Sequence, residues 1–361
     1  MATASLKGVR AAAELLHGRV VKTPVLESRL LNEELGGGRL LLKAESLQHT
    51  GSFKYRGALH RLICLQRDDP AAAARGTVAF SSGNFGQALA AASTSLGLKC
   101  TIVSPHDAPP VKLERIRQYG ADLRTSTADY SAGENREVVA SAMAQELSRR
   151  HGMTLLHPFD DVDVIHGQGT VGVEFLSQAR DILGGAPLEL IASPCGGGGM
   201  AAGVCLAAEN SETKVITVEP PGYDDHAHSF ASPTKERLAL ASIYKAGDDH
   251  GHGKSTACDA LMAGAPGVMT WEVNRRLLSG ALVVSSDASV ARAMKVAFDH
   301  FRLLLEPSAA LPLAAVLDGL LSPQCGEEAR IPPGRTIGII ASGGNTDLST
   351  FARLMGCTAG A

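Results

Sequence analysis

Apolar positions change their spacing along this chain in a regular alternation. Val9, Ala12, Ala13 and Leu16 recur at helical intervals over 9–17, and Thr23-Pro24 ends that stripe. A continuous apolar run at 39–43, entered through Gly36-Gly37-Gly38, predicts a strand, and Ala58, Leu59, Leu62 and Ile63 then resume the helical period. Asp68-Asp69-Pro70 and Gly76 mark a crossing into a new block. Strands follow at 77–80, 100–103 and 120–124. They are separated by a small-residue helix over 87–96 and by a helix that Pro109-Pro110 opens, carrying Val111, Leu113, Ile116 and Tyr119. An amphipathic helix over 132–150 closes the block. The pattern resumes with strands at 154–156, 188–192, 214–218, 281–284 and 335–341, and helices near 168–183, 199–209, 287–304 and 308–320. Strands alternating with helices predict parallel sheets. The chain divides into a large unit, 1–75 plus 153–361, and a small one, 76–152.

Composition agrees with that picture. The 361 residues are 45% hydrophobic and 20% charged, enough for two α/β domains with a large core. A net charge of −3 without a basic block argues against nucleic acid or an acidic membrane as partner. The seven cysteines (Cys64, Cys100, Cys195, Cys205, Cys258, Cys325 and Cys357) are scattered without a C-x-x-C pair. They suggest neither a disulfide framework nor a thiolate zinc site, and they fit a reducing compartment. No run approaches the ~20 apolar residues of a membrane helix, and Met1 to Arg10 lacks the apolar stretch of a secretory leader. The expectation is a cytoplasmic enzyme.

Candidate chemistry sits where strands give way to glycine-punctuated turns, the usual ligand edge of a parallel sheet. In Glu45-Ser46-Leu47-Gln48-His49-Thr50-Gly51-Ser52-Phe53-Lys54-Tyr55-Arg56-Gly57 such a turn presents the Lys54 amine, which must lose its proton to act as a nucleophile. Taken alone, Lys54 reads as an ordinary solvated helix-start lysine. Ser193-Pro194-Cys195-Gly196-Gly197-Gly198-Gly199-Met200 follows a strand and opens a helix, so its backbone N–H groups can form a phosphate cup. It is no dinucleotide fingerprint, because Ala201 stands where G-x-G-x-x-G needs glycine. Gly253-Lys254-Ser255-Thr256 is no P-loop, because Asp248 stands where the first glycine belongs, and His250 and His252 read as a polar loop. Between Glu219 and His228, carboxylates flank a tight turn. They suit an oxygen-ligated cation, the imidazoles suit a transition metal, and a solvated polar loop is equally compatible. Glu306-Pro307-Ser308 and Ser342-Gly343-Gly344-Asn345 are, singly, ordinary caps and turns.

Together and in this order, from about residue 20 to 350, these motifs resemble the fold-type II pyridoxal-phosphate enzymes, the tryptophan synthase β-like fold. They are most similar to the branch of serine racemases, serine and threonine dehydratases and hydroxyaspartate dehydratases. The resemblance implies two open parallel-sheet α/β domains, the smaller one mobile. It implies that Lys54 is the Schiff-base lysine and takes the α-proton on one face. Phe53 would pack on the cofactor ring, Asn84 bond its hydroxyl and Ser342 its pyridine nitrogen. Gly196, Gly197, Gly198, Gly199 and Met200 would hold the phosphate, with Glu306 also at the cofactor. Ser81, Ser82, Gly83 and Asn84 would receive the substrate carboxylate. Ser82 would act as acid and base on the opposite face, since stereo-inversion needs two opposed groups. Glu219, Asp225 and the Tyr223 carbonyl match this branch's Mg²⁺ or Mn²⁺ site, with Ca²⁺ as a third candidate.

A neutral serine at the ring nitrogen leaves the cofactor a weaker electron sink, which suits prompt β-elimination or reprotonation. Two departures stand out: Phe85 replaces the histidine common after Ser-Gly-Asn, and Pro221-Gly222-Tyr223 alters the metal loop. The chain lacks the extra regulatory domain of biosynthetic threonine dehydratases, so isoleucine feedback is not expected. The implied activity is α,β-elimination of serine or threonine to ammonia and a 2-oxo acid, with racemisation of serine, by a homodimer. A hydroxyaspartate dehydratase is the alternative enzyme, with Arg136 a candidate for the second carboxylate, and a catalytically silent ligand-binding protein is the alternative from another class.

Overall fold

The computed structural model describes residues 3–81, 83–106, 108, 110–126, 136–244, 256–284, 286–321 and 331–356. Ten strands among them build two sheets: β1 (Val25–Glu27), β2 (Arg39–Ala44), β3 (Thr77–Phe80), β4 (Cys100–Pro105), β5 (Asp122–Ser126), β6 (Thr154–Leu155), β7 (Leu190–Pro194), β8 (Lys214–Glu219), β9 (Gly280–Val283) and β10 (Thr336–Ala341). The six-stranded sheet runs β1-β2-β10-β7-β8-β9 and the four-stranded sheet β5-β4-β3-β6. Every pairing is parallel except β1 with β2 at one edge. The last strand therefore lies in the middle: Ile339 faces Leu42 on one side and Ala192 on the other. β2, β7, β8 and β10 are buried almost throughout, so their sequences read as unbroken apolar runs rather than alternations. The helix Pro307–Leu317 is buried along its whole length against this sheet.

Three departures from the sequence pattern have a visible local cause. The alternation assigns 154–156 to the larger unit, but β6 pairs with β3. The helix Arg136–His151 packs across β3 and β4, and the chain returns alongside, with Thr154 N donating to Gly76 O (3.0 Å) and Leu156 N to Val78 O (2.9 Å). β5 starts two residues later than expected, because Gly120 and Ala121 still bond back to the helix carbonyls of Arg117 and Ile116. The helix predicted near 168–183 spans Val162–Ile182, capped by the Asp161 side chain on the N–H groups of Asp163 and Val164. Its first turns carry buried Val164 and Ile165, but His166 and Gly167 interrupt the apolar stripe before Gly169 and Gly172 thin it further. Gly169 and Gly172 are small because the helix Gly199–Ala208 crosses there, with a Cβ on Gly203 lying 2.4 Å from Gly169 N, and Gly167 because the helix Lys54–Asp68 does, a Cβ on it lying 2.7 Å from Gly57 Cα.

A buried charge cluster fixes the turn that carries Lys54. The Arg56 guanidinium, fully buried, makes two 2.8 Å bonds to Glu45 and two to Glu174, and Glu174 also accepts from Lys43 Nζ at 2.8 Å. Lys43 reaches the Thr23 carbonyl and Gln178 at the same distance. The cluster joins β2, the helix Lys54–Asp68 and the helix Val162–Ile182 through charge-assisted bonds in a dry interior.

Candidate active site

The carboxyl ends of β2, β10, β7 and β8 open on one edge of the large sheet, and each delivers one piece of the site. β2 leads to Lys54, β10 to Ser342, β7 to the glycine cup and β8 ends on Glu219. Phe53 N donates to Ser342 O at 3.0 Å, and Ser52 bridges Gly343, which binds the lysine turn to the serine turn. The Ser342 side chain is buried and its hydroxyl has no partner among the described residues.

Lys54 Nζ donates to the carbonyl of Pro158 at 3.0 Å and lies 5.0 Å from the Phe53 ring centre and 6.0 Å from that of Phe85. Burial pushes its amine down to about 8, against the opposing pull of Glu306. The residue after Pro158 walls the cup: a Cβ on Gly197 would lie 2.2 Å from the Phe159 ring, and one on Gly199 2.9 Å from Phe159 Cβ. Gly198 has φ +88°, a left-handed conformation that glycine adopts freely, and faces His226 and Asn274. The N–H groups of Gly196, Gly197, Gly198 and Gly199 have no hydrogen-bond partner among the described residues, and they stand at the start of a ten-residue helix with Met200 buried in its first turn. A cradle of free amides that side chains would fill fits a phosphate, and the hydroxyl of Ser342, without a partner among the described residues, fits a ring nitrogen. These residues fit pyridoxal phosphate.

Asn84 opens the twelve-residue helix Asn84–Ser95. Its amide donates to both Glu306 oxygens (2.8 and 3.1 Å), and its carbonyl accepts from Asn345, which also donates to Thr50 O at 2.7 Å. Burial, with Asp259 adding to it, raises the Glu306 carboxyl to about 7 against the Asn84 hydrogen bond. Ser81 Oγ accepts from Gly83 N (3.2 Å) and Gly86 N (3.1 Å), holding the turn, while the N–H groups of Asn84 and Phe85 have no partner among the described residues. A carboxylate suits that helix start. Ser82 lies outside the described residues, as do 245–255 and the side chain of Arg136, which opens its helix.

The metal set comes together differently. Glu219 Oε1 and Oε2 accept from the N–H groups of His226 (3.0 Å) and Ala227 (2.8 Å), and burial raises its carboxyl to about 7. His226 Nδ1 stands 2.8 Å from Asp225 Oδ1 and 3.5 Å from Glu219 Oε1, so an imidazole fills the space between the carboxylates. Tyr223 is buried, its N–H donating to Pro220 O at 3.2 Å. A hard cation takes six or more oxygens, waters included; with the imidazole between the carboxylates, the donor atoms that converge here are those of buried Cys195, Glu219 and His226, a mixed sulfur, oxygen and nitrogen set that does not suit one.

The motifs of the sequence do not include the span after β6. His157 Nδ1 accepts from Asp160 N at 2.9 Å; Asp160 caps the helix Val268–Leu277 through the N–H groups of Val268, Met269 and Thr270; Thr270 Oγ1 donates to Gly197 O at 2.7 Å. Its one visible signal is position, at the carboxyl end of a parallel strand.

Residues 17–343 match the family described as pyridoxal-phosphate dependent enzyme. The chain is 36% identical to the serine racemase of Dictyostelium discoideum, over 98% of its own length and 99% of that protein's. It is 33% identical to the beta-hydroxyaspartate dehydratase of Paracoccus denitrificans (strain Pd 1222), over 94% of this chain and 95% of that one. The crystal structure of the Dictyostelium racemase superposes with a TM-score of 0.79, covering 96% of this chain and 100% of the other. With a lysine amine, a glycine cup and a serine hydroxyl gathered at one sheet edge, the chain belongs to the pyridoxal-phosphate-dependent enzymes of fold type II, among their racemases and ammonia-lyases.

Proposed function

We propose that this enzyme acts on small β-hydroxy amino acids, serine and threonine first, eliminating the β-hydroxyl to yield ammonia and a 2-oxo acid and racemising serine at its α-carbon. The observation that carries this reading is the double use of Pro158-Phe159. The carbonyl of one holds the Lys54 amine and the ring of the next walls the cup, so the reactive nitrogen and the phosphate amides share one support. Bound pyridoxal phosphate would supply the electron sink for breaking the Cα–H bond. Lys54 would hold the cofactor and take the α-proton on its own face, helped by the lowered pKa of its amine. Gly196 to Gly199 would orient the phosphate and Ser342 the ring nitrogen. Asn84 and Phe85 N–H groups would orient the substrate carboxylate, and Ser82, between Ser81 and Gly83, would return a proton from the other face.

The unit 76–152 would close over the large one and exclude water. Contacts already crossing the cleft support this: Lys112 pairs with Asp259, and Arg115 donates to Asn345 at 3.1 Å. Arg115 also favours a second substrate, 3-hydroxyaspartate, because its guanidinium has no carboxylate partner among the described residues and could receive a second carboxylate, as Arg136 could. A homodimer in a reducing cytoplasm completes the reading. The five described cysteines are free, and exposed Phe298 and Leu348, on helices joined by the Phe298–Phe351 ring contact, offer an apolar face for the partner.

The test is a product assay on L-serine, L-threonine and 3-hydroxyaspartate, scoring 2-oxo acid and D-serine. Serine turnover with both products is expected; turnover of 3-hydroxyaspartate alone would favour the second substrate. Ser82→Ala should abolish D-serine and spare elimination, and racemisation that survives it would remove the second base.

A further inference from the structure

We propose that the His226 imidazole takes the structural place of a divalent cation and braces the phosphate cup, so that this chain holds its cofactor without a metal. The inference rests on the reading of the 196–199 loop as that cup. Glu219 and Asp225 are both buried, and two facing carboxylates in a dry site require a partner between them. The partner present is His226 Nδ1, 2.8 Å from one and 3.5 Å from the other. Glu219 is further satisfied by two backbone N–H groups, which leaves Asp225 Oδ2 as the carboxylate oxygen without a partner among the described residues.

The ring does more than occupy space. Its far nitrogen, Nε2, meets the Asn274 amide at 3.2 Å, and that amide donates to Gly198 O at 3.3 Å. Gly198 is the left-handed residue of the cup, and its Cα faces the ring so closely that a Cβ would lie 2.5 Å from Nε2. Trp271 packs edge-on against the imidazole, 5.7 Å between centres, and fixes its plane. A continuous path therefore runs from the carboxylate pair through imidazole and amide to the loop whose N–H groups would hold phosphate. A spherical ion bound by the carboxylates would stop short of that loop. His226 is a positioning residue, since it acts on the cofactor through Asn274 and Gly198.

The experiment compares the holoenzyme before and after exhaustive chelation, by elemental analysis, thermal unfolding and pyridoxal phosphate affinity, alongside His226→Ser. In the wild type, substoichiometric metal is expected, with Tm and affinity unmoved by chelation or by added Mg²⁺, Mn²⁺ or Zn²⁺. His226→Ser should lose about tenfold in cofactor affinity, a shift of ~1.4 kcal/mol, and recover affinity and Tm when Mg²⁺ enters the vacated space. A wild type that carries one metal per chain, or whose Tm falls on chelation, overturns the proposal even if His226→Ser fails to fold. Metal content does not depend on the cofactor, and Tm before and after chelation is read on the cofactor-free protein as well. Protein that binds no pyridoxal phosphate would refute the reading of the cup while these two readouts still decide the role of His226.

Discussion

Gly198→Ala places a methyl group where two separate penalties meet. The residue sits at φ +88°, and an L side chain there costs about 1–2 kcal/mol. The new Cβ would also lie 2.5 Å from His226 Nε2 and 2.6 Å from Asn274 Nδ2, and both side chains are fully buried and hydrogen-bonded. Overpacking of that kind costs ~1–3 kcal/mol. Together they amount to about 2–5 kcal/mol, a fall in Tm of roughly 3–7 °C for a chain of this size unfolding as one unit. Relief of the clash must turn the cup's N–H groups, so cofactor affinity should fall at least about tenfold, or ~1.4 kcal/mol. The assay is thermal unfolding with equilibrium titration of pyridoxal phosphate into the cofactor-free protein. Gly264→Ala, with nothing within 4 Å of its Cβ, is the control. Adding His226→Ala should recover the part of the contact penalty that falls on the imidazole and leave the Asn274 contact and the backbone strain, a double-mutant cycle in which the pair is not additive. Gly198→Ala indistinguishable from Gly264→Ala in both Tm and affinity would refute the reasoning.

Arg56→Met should lower stability by about 3–5 kcal/mol, because it leaves Glu45 and Glu174 facing each other in the interior; denaturant unfolding measures it, and a loss under about 1 kcal/mol would mean that the carboxylates find other partners. The Lys54 amine titrates at about 8 in the fold against 10.5 when free, so the unfolded chain binds the extra proton between those values. The stability of cofactor-free wild type relative to Lys54→Met should therefore rise with pH across that window, by up to ~1.4 kcal/mol per unit, and a flat difference contradicts it. Glu306→Gln removes a carboxylate that raises the Lys54 pKa, so the midpoint for labelling Lys54 with an amine reagent should move below about 8; an upward move would refute the electrostatic assignment. Asp160→Ala strips the cap from the helix Val268–Leu277 and should cost about 0.5–2 kcal/mol by thermal unfolding, with no change if water replaces the carboxylate fully.

What was legible in the sequence was whatever depends on near neighbours in the chain. Leu40-Leu41-Leu42 and Ile337 to Ile340 announce buried parallel strands because both faces are covered, and the turns after them carry Lys54 and Ser342. The glycine cup announces itself by composition, since four side chains are missing at one strand end. Distant partners left no local mark. Asp160 caps a helix that starts more than a hundred residues later, and Arg115 meets Asn345 across 230 positions. Gly167, which serves a helix crossing, helped hide the start of Val162–Ile182, because the residue that permits the contact also interrupts the apolar period. β1, three residues long and antiparallel at an edge, is too short to carry a period. Glu219 and Asp225 were legible as a pair, but the filling of the space between them by His226 is a fact of three dimensions.

The span 157–161 belongs to both sheets at once. It follows β6, the edge of the small sheet, yet its carbonyl holds Lys54, its ring walls the cup, and Asp160 and Asp161 each start a helix of the large unit. The two sheets are therefore not interchangeable modules joined at 152. A chimera that takes residues 76–152 from a relative would pair a foreign β3 with this chain's own β6 and tilt the support of both amine and phosphate. Grafts that carry the donor segment through 161, with the junction inside the following helix, keep that support with the strand that positions it.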